Sequence, residues 1–115
     1  MRSAIQTGPT ILIGYAYHLR LEATVGSFPE GARLTGHVRA TAAAEEILAS
    51  LTSEAGELLR VSDYALDLHI PAAATARMRP GSVVLDVVRR DVEPDLHLGF
   101  ALEIPVILPV TRGLA

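Results

Sequence analysis

Apolar and polar residues alternate along much of the chain, with the period of two that is typical of a β-strand. The alternation is clear in residues 15–25, 32–40, 64–70 and 96–104. One apolar face and one polar face are expected for an antiparallel strand that covers a core on one side and meets water on the other. The segment GSFPEG at residues 26–31 is a turn signal between two of these strands.

Residues 41–52 support two interpretations. Their Ala and Glu content is compatible with a short helix. However, the four-residue segment SEAG separates two apolar runs, residues 46–52 and 57–61, as the loop of a β-hairpin would. We favour the hairpin and keep the short helix as the alternative.

The second half of the chain contains the helix signals. Pro71 stands where a helix can begin, and AAATARM then provides one or two turns before Pro80 and Gly81 end it. The next run, SVVLDVVRR, is apolar at consecutive positions and predicts a strand buried on both faces. Pro105 and Pro109 lack a backbone donor, so the last segment is predicted to be an edge strand or a tail.

Together these elements predict an all-β protein, an Ig-like antiparallel β-sandwich of seven or eight short strands with one short crossover helix. The domain is expected to span residues 11–112, preceded by an N-terminal arm at 1–10 that lacks periodicity and followed by a tail at 113–115. Gly36 and Gly99 lie inside predicted strands, where a β-bulge or a close backbone approach is the usual cause.

Composition narrows the classes of function. The 115 residues contain no Cys, which excludes a disulfide scaffold and a thiolate zinc site. A net charge of −3 and only five aromatic rings argue against nucleic-acid binding. Neither a signal peptide nor a transmembrane helix is predicted, so we expect no membrane partner and synthesis in the cytoplasm.

Candidate catalytic chemistry is sparse. The chain has no HExxH, GxSxG, SxxK or phosphate-loop motif. Asp67 and His69 share one strand face, but a metal site there would need a third ligand from a neighbouring strand. The four histidines all fall on predicted polar faces: His18, His37, His69 and His97. We therefore predict a protein that is not an enzyme, with no catalytic residue, cofactor or metal site.

Asp86 interrupts the apolar run between Val84 and Val88. A buried carboxylate needs hydrogen bonds or an arginine partner, because burial penalises an unpaired charge. Asp86 is therefore either a binding-site acid or, as we favour, an aspartate tied to a loop or to an arginine at the sandwich edge. The candidate partners are Arg39, Arg89 and Arg112.

Two further sets of residues are candidates for protein–protein contact. Arginine suits polar interfaces through its planar fork of donors. Four arginines flank the strand that contains Asp86: Arg77, Arg79, Arg89 and Arg90. Apolar residues near the two chain ends are candidate anchors, with Arg112 as a polar contact: Ile5, Ile11, Ile107 and Leu108.

Residues 70–112 resemble a recurrent pattern in small phage and prophage structural proteins. The pattern comprises an IPAAAT segment, a Gly before a strand of the form V-x-x-D-V, a hairpin, a Gly-containing strand and a closing V-T-R. It is similar to the β-sandwich of the phage baseplate upper-protein N-terminal domain and related virion modules. The matching positions are Gly81, Asp86, Gly99, Val110, Thr111 and Arg112. The aromatic residues usual before the Asp are replaced here by Val83 and Leu85.

This resemblance implies a non-enzymatic component of a phage or prophage particle, made in the host cytoplasm and present in many copies in the virion. The expected role is a tail or baseplate adaptor that holds a fibre or receptor-binding protein. Its partners would be other virion proteins or further copies of itself. The alternatives are a capsid-surface decoration protein and a stand-alone carbohydrate-binding domain, although the latter needs exposed aromatics and this chain has no Trp.

Overall fold

The computed structural model describes residues 5–23 and 26–114. Over this part of the chain nine strands and one short helix follow one another. Their bounds are β1 Ile5–Thr7, β2 Ile11–Leu12, β3 Tyr17–Glu22, β4 Leu34–Arg39, β5 Ala49–Thr52, β6 Leu58–Ser62, β7 Ala65–Ile70, α1 Ala72–Thr75, β8 Gly81–Arg89 and β9 Leu96–Ile107.

The strands form two sheets. The larger has the order β1-β9-β8-β4-β5, with β2 also paired to β9, and the smaller has the order β3-β7-β6. The predicted all-β sandwich with one short crossover helix is confirmed. β1 and β2 share one edge position along β9, so the described strands occupy eight positions. β1 and β2 run parallel to β9, whereas the sequence predicted antiparallel pairing throughout.

The core lies between the sheets and is built from alternate residues of their strands. Leu34, Gly36 and Val38 of β4 are buried, and the residues between them are only partly covered. β7 contributes Leu66, Leu68 and Ile70 in the same way. Burial of one face per strand is the pattern that the period of two predicts.

The predicted hairpin of residues 46–52 and 57–61 is wrong in its pairing. β5 pairs with β4 in the larger sheet, whereas β6 pairs with β7 in the smaller one. The turn between them, with Gly56 at φ +82°, carries the chain from one sheet to the other. Leu51 and Leu58 are therefore buried from opposite sheets. The alternative helix does not form: residues 41–48 have turns and irregular structure.

Helix α1 lies in the last of the chain's crossings between the two sheets, from β7 to β8. Its last residue, Thr75, is fully buried. The Thr75 hydroxyl donates to the carbonyl of Tyr15 at 2.8 Å and accepts from the Gly14 amide at 3.1 Å. These bonds connect the helix to the turn that precedes β3.

Two expectations for β8 and β9 are corrected. β8 is not buried on both faces: Val83, Leu85 and Val87 are buried, but the residues between them are partly exposed. Nor is the segment that begins at Pro105 an edge strand or a tail, since β9 continues to Ile107 and pairs there with β8 on one side and β2 on the other. The carbonyls of Glu103 and Ile107 accept from Gly8 and Ile13. In a strand, every second residue directs its backbone N–H and C=O to the same neighbouring strand. Pro105, midway between Glu103 and Ile107, therefore faces the gap between β1 and β2, where its missing N–H leaves no hydrogen bond unmade.

Gly36 confirms the predicted close backbone approach. A Cβ at this position would lie 3.0 Å from the Asp86 carbonyl oxygen on β8. The two central strands of the larger sheet therefore approach each other more closely here than a larger residue would allow.

Candidate functional site

Chemically capable side chains gather on the outer faces of the two sheets. We call the outer surface of the smaller sheet the histidine face, which comprises His18, Arg20, Leu59, Asp67 and His69. We call the corresponding region of the larger sheet the Asp86 face, which comprises His37, Arg39, Asp86, His97 and Glu103. A third region, the C-terminal corner, comprises Leu12, Tyr15, Ile107, Leu108 and Val110.

The histidine face is produced by the pairing of β3 with β7. That register places His18 directly opposite His69, and Arg20 directly opposite Asp67. The two imidazole rings stack with centroids 4.4 Å apart and an angle of 3° between their planes. The Arg20 guanidinium donates to both carboxylate oxygens of Asp67, at 2.7 and 3.1 Å.

The ion pair between Arg20 and Asp67 changes the pKa of the Asp67 carboxyl. The hydrogen bond from Arg20 is the main cause that lowers the pKa of the Asp67 carboxyl from its usual value. Leu59 of β6 lies opposite Asp67 on its other side and is 58% exposed. These residues line an open depression of about 510 Å³ on the sheet surface. The face thus combines a neutralised charge pair, two imidazoles and one apolar side chain.

Asp86 is placed differently from the expectation. Its side chain is 45% exposed, so the prediction of a buried carboxylate is wrong. Its partner is not an arginine but His97, whose Nε2 lies 2.8 Å from the carboxylate. The reason is the strict alternation of β8, which directs residues 84, 86 and 88 outward. Arg39, one expected partner, instead donates to the carbonyls of Ala44 and Glu45.

The Asp86–His97 contact depends on an irregularity in β9. Asp86 pairs with Ala101 but Val88 pairs with His97, so three β9 residues lie opposite Val87 alone. Gly99, at φ +83°, is the middle residue of this bulge, which confirms the prediction for that position. β-Bulges redirect side chains in this way.

The bulge also determines the tautomer of His97. The Gly99 amide donates to His97 Nδ1 at 2.9 Å, so Nδ1 is an acceptor and the proton lies on Nε2, which donates to Asp86. While both bonds hold, neither ring nitrogen is free to accept a proton from a substrate. The arrangement is therefore suited to holding β8 and β9 together rather than to general base catalysis.

A shallow depression of about 350 Å³ lies beside this pair. His37 is directly opposite Asp86 on β4, and Val84 and Ala101 form part of the floor. Charged groups from Arg39 and Glu103 also line it. Asp86 thus has the surroundings of a surface polar site, as the binding-site alternative requires.

The four arginines flanking β8 do not form one surface. Arg77 and Arg79 precede the strand and Arg89 and Arg90 end it, and eight residue steps of a strand span roughly 26 Å. Arg77 lies near Glu46 at 3.7 Å, and Arg79 has no ion-pair partner among the described residues. The four arginines that are close in sequence are therefore divided into two pairs at opposite ends of β8.

Arg89 and Arg90 stabilise the other end of the strand. Arg89 donates to Asp91 at 2.7 Å, and Asp91 also accepts from the Arg33 amide at 3.0 Å. The bond from Arg89 is the main cause that holds the pKa of Asp91 well below its usual range. Arg90 pairs with Asp95 at 3.0 Å. These contacts link the start of β4 to the loop after β8.

The expected anchors near the chain ends divide into two kinds. Ile11 is fully buried in the core, so it is not available to a neighbouring subunit. Ile107 and Leu108 are each 49% exposed. Ile5 lies in β1 opposite Ala101, and its side chain falls outside the described part of the structure, as do residues 1–4 of the predicted arm.

The C-terminal corner assembles around the exposed pair. Leu12 is the register partner of Ile107. The Tyr15 hydroxyl donates to the Thr111 carbonyl at 2.7 Å, and Arg112 donates to the Pro109 carbonyl at 2.8 Å. These bonds hold the segment after β9 against the turn before β3. Val110, between them, is 95% exposed.

Sequence reasoning missed several of these features. It placed His69 and Asp67 on one face but not His18 beside them, because the register between β3 and β7 leaves no local signal. It also missed Tyr17, whose hydroxyl donates to the Pro9 carbonyl at 2.7 Å and whose pKa burial raises to about 12.

No protein-family model and no curated protein matches the chain. Within residues 5–23 and 26–114, no three His, Asp or Glu side chains are arranged to hold a metal ion. No helix in the described part is long and apolar enough to cross a membrane.

Proposed function

We propose that the chain is a non-enzymatic structural component of a phage or prophage particle, a tail or baseplate adaptor that holds a fibre or receptor-binding protein. The resemblance of residues 70–112 to virion modules motivates this role. The two-sheet sandwich is compatible with it. A capsid-surface decoration protein is the alternative within the same class, and the experiment below separates the two.

The observation that supports assembly through protein contact is the C-terminal corner. Three large apolar side chains are exposed there within one short stretch: Ile107, Leu108 and Val110. Leu12 and Tyr15, also partly exposed, lie against the same stretch. Clustered exposed apolar residues on a small protein are typical of protein–protein contact sites.

The corner is also held in shape before any partner arrives. The bonds from Tyr15 to Thr111 and from Arg112 to Pro109 order the segment that presents the apolar residues. A preordered surface loses less conformational entropy on binding than a flexible one. We therefore expect the matching motif residues Val110, Thr111 and Arg112 to act in assembly rather than in chemistry.

Mass spectrometry of gradient-purified particles from the producing strain tests the proposal. We expect to detect the protein in the purified particles and, after heads and tails are separated, in the tail fraction. Recovery in the head fraction would favour the decoration role. Abundance in the lysate together with absence from every particle fraction would contradict both.

A variant pair then tests the surface. Ile107→Asp combined with Leu108→Asp should reduce incorporation into particles, because charges would replace the apolar contact. Leu59→Asp is the matched control, since Leu59 is slightly more exposed, at 58% against 49%, but lies on the other sheet. If the corner variant folds and incorporates as the control does, the C-terminal corner is not the assembly surface.

A further inference from the structure

The histidine face holds two imidazoles in an arrangement that the assembly role does not use. His18 and His69 project from directly paired positions on β3 and β7. Their rings are parallel and 4.4 Å apart. Both side chains reach solvent, and they line the open depression of about 510 Å³. Imidazole nitrogens are preferred ligands for zinc, copper and nickel ions.

Chelation of one ion requires the two rings to change their relative orientation. Zinc–nitrogen bonds of about 2.0–2.1 Å, at angles between a right angle and a tetrahedral one, place the two ligand nitrogens about 3 Å apart. The stacked rings of His18 and His69, with centroids 4.4 Å apart and planes at 3°, do not direct a nitrogen of each at one point. Because a metal ion lies in the plane of the imidazole that binds it, both rings must turn towards a shared position. Rotation about the broad χ2 torsion of each partly exposed histidine allows this.

The charge environment permits a cation. Arg20 is the nearest cation on this face, and its charge is compensated by the two hydrogen bonds to Asp67. Glu22 lies on the same face of β3, two residues after Arg20. The depression leaves room for water molecules to complete the coordination.

We propose that His18 and His69 together bind one divalent transition-metal ion of the zinc, nickel and copper class, with water as the remaining ligands. Asp67 is not a third ligand in the native protein, since both of its oxygens accept from Arg20. This two-imidazole site is consistent with the finding that no described group of three side chains holds a metal. It departs from the expectation, drawn from spacing along the chain, that no metal binds.

Calorimetric titration of the full chain with ZnCl₂ and NiCl₂ tests the site, with MgCl₂ as the negative probe because Mg²⁺ prefers oxygen ligands. We expect one Zn²⁺ or Ni²⁺ per chain and no heat from Mg²⁺. His18→Ala and His69→Ala should each weaken binding about tenfold or more, because each removes one of two ligands. Both residues lie on an outer face, so circular dichroism should show that the variants fold.

His37→Ala is the matched control, since His37 occupies the outer face of the other sheet. It should leave the affinity unchanged. A loss of binding in His37→Ala, or wild-type affinity in His18→Ala, would overturn the assignment. In the ¹H–¹⁵N spectrum of the histidine rings, Zn²⁺ should shift the resonances of His18 and His69 and not those of His97.

Arg20→Gln provides a gain-of-affinity test. It removes a neighbouring positive charge and releases Asp67 as a third ligand, so binding should tighten. The double variant Arg20→Gln with Asp67→Asn should lose the part of that gain that comes from the carboxylate. Weaker binding in Arg20→Gln than in the native chain would contradict a site at this face.

Discussion

The two outer faces contain the same kinds of side chain and hold them by different means. On the histidine face, an unbroken register places each partner directly opposite the other, as His18 and His69 show. On the Asp86 face, the contact between Asp86 and His97 forms only because a bulge centred on Gly99 brings His97 next to the carboxylate. One face is organised by regular pairing, and the other by a departure from it.

This difference predicts where each face is sensitive. A regular ladder tolerates changes in its outer side chains, because its backbone bonds do not depend on them. A bulge that needs a glycine at positive φ is sensitive to the backbone itself.

Replacing Gly99 by Ala should have the largest effect. The residue has φ +83°, and a side chain in that conformation costs about 1–2 kcal/mol. The shift in backbone would also disturb the amide that donates to His97 Nδ1. We expect a loss of about 1–3 kcal/mol in the free energy of unfolding, measured by urea denaturation.

Gly56→Ala is the control for that measurement. Gly56 has φ +82°, and, as at Gly99, a Cβ there would meet no atom within 4 Å. It lines the depression on the histidine face but takes part in no bulge. Backbone strain should lower the free energy of unfolding in both variants, and Gly99→Ala should show a further loss because it also disturbs the bulge. Equal losses would mean that the bulge contributes nothing beyond its backbone conformation.

A double-mutant cycle between Asp86 and His97 should show a smaller effect. The pair is half-exposed, so we expect a coupling energy of about 0.5–1 kcal/mol between Asp86→Asn and His97→Gln. Thermal or urea unfolding of the four proteins measures it. Coupling indistinguishable from zero would show that the bulge, and not the hydrogen bond between His97 and Asp86, stabilises this part of the sheet.

The acid stability of the histidine face should show a smaller effect again. Arg20 lowers the pKa of Asp67, so the folded state favours the carboxylate more than the unfolded state does. The stabilisation is therefore complete above about pH 4, the unfolded value, and is lost as the pH falls through the lower folded value. Asp67→Asn should lower stability at neutral pH and become equal to the native chain in acid. A difference that persists at the lowest pH would contradict an electrostatic origin.

Single substitutions of the stacked histidines should affect stability least. His18→Ala or His69→Ala should change the free energy of unfolding by no more than about 0.5 kcal/mol in metal-free buffer, since they remove outer-face side chains from a regular ladder. Urea denaturation in the presence of a chelator provides the measurement. A loss above 1 kcal/mol would show that this face is as sensitive as the Asp86 face.

The sequence predicted local features of the fold well. Alternation located β3, β7 and β9, and Pro71 located the start of α1. It could not predict partners. β5 and β6 have a hairpin-like spacing along the chain but belong to different sheets, because pairing is decided by long-range burial rather than by the intervening turn.

The same limit applies to the candidate sites. The position of Asp86 within an apolar run suggested burial, whereas the alternation of β8 directs it outward to His97. His97 reaches Asp86 through a β-bulge. A glycine inside a strand, such as Gly99, indicates a bulge but not which side chains the bulge brings together. On the histidine face, Asp67 and His69 were placed correctly on one side of a strand, but His18 joins them only through the register between β3 and β7.

The parallel pairing of β1 and β2 with β9 has a mechanical consequence. β1 lies near the beginning of the chain and β9 near its end, and they run in the same direction. Tension between the two ends would pull these strands past each other along their length. The hydrogen bonds of Gly8 to Glu103 and Ile13 to Ile107 lie across that direction, so they would bear the load together rather than break one after another. The fold is thus arranged to resist stretching in shear.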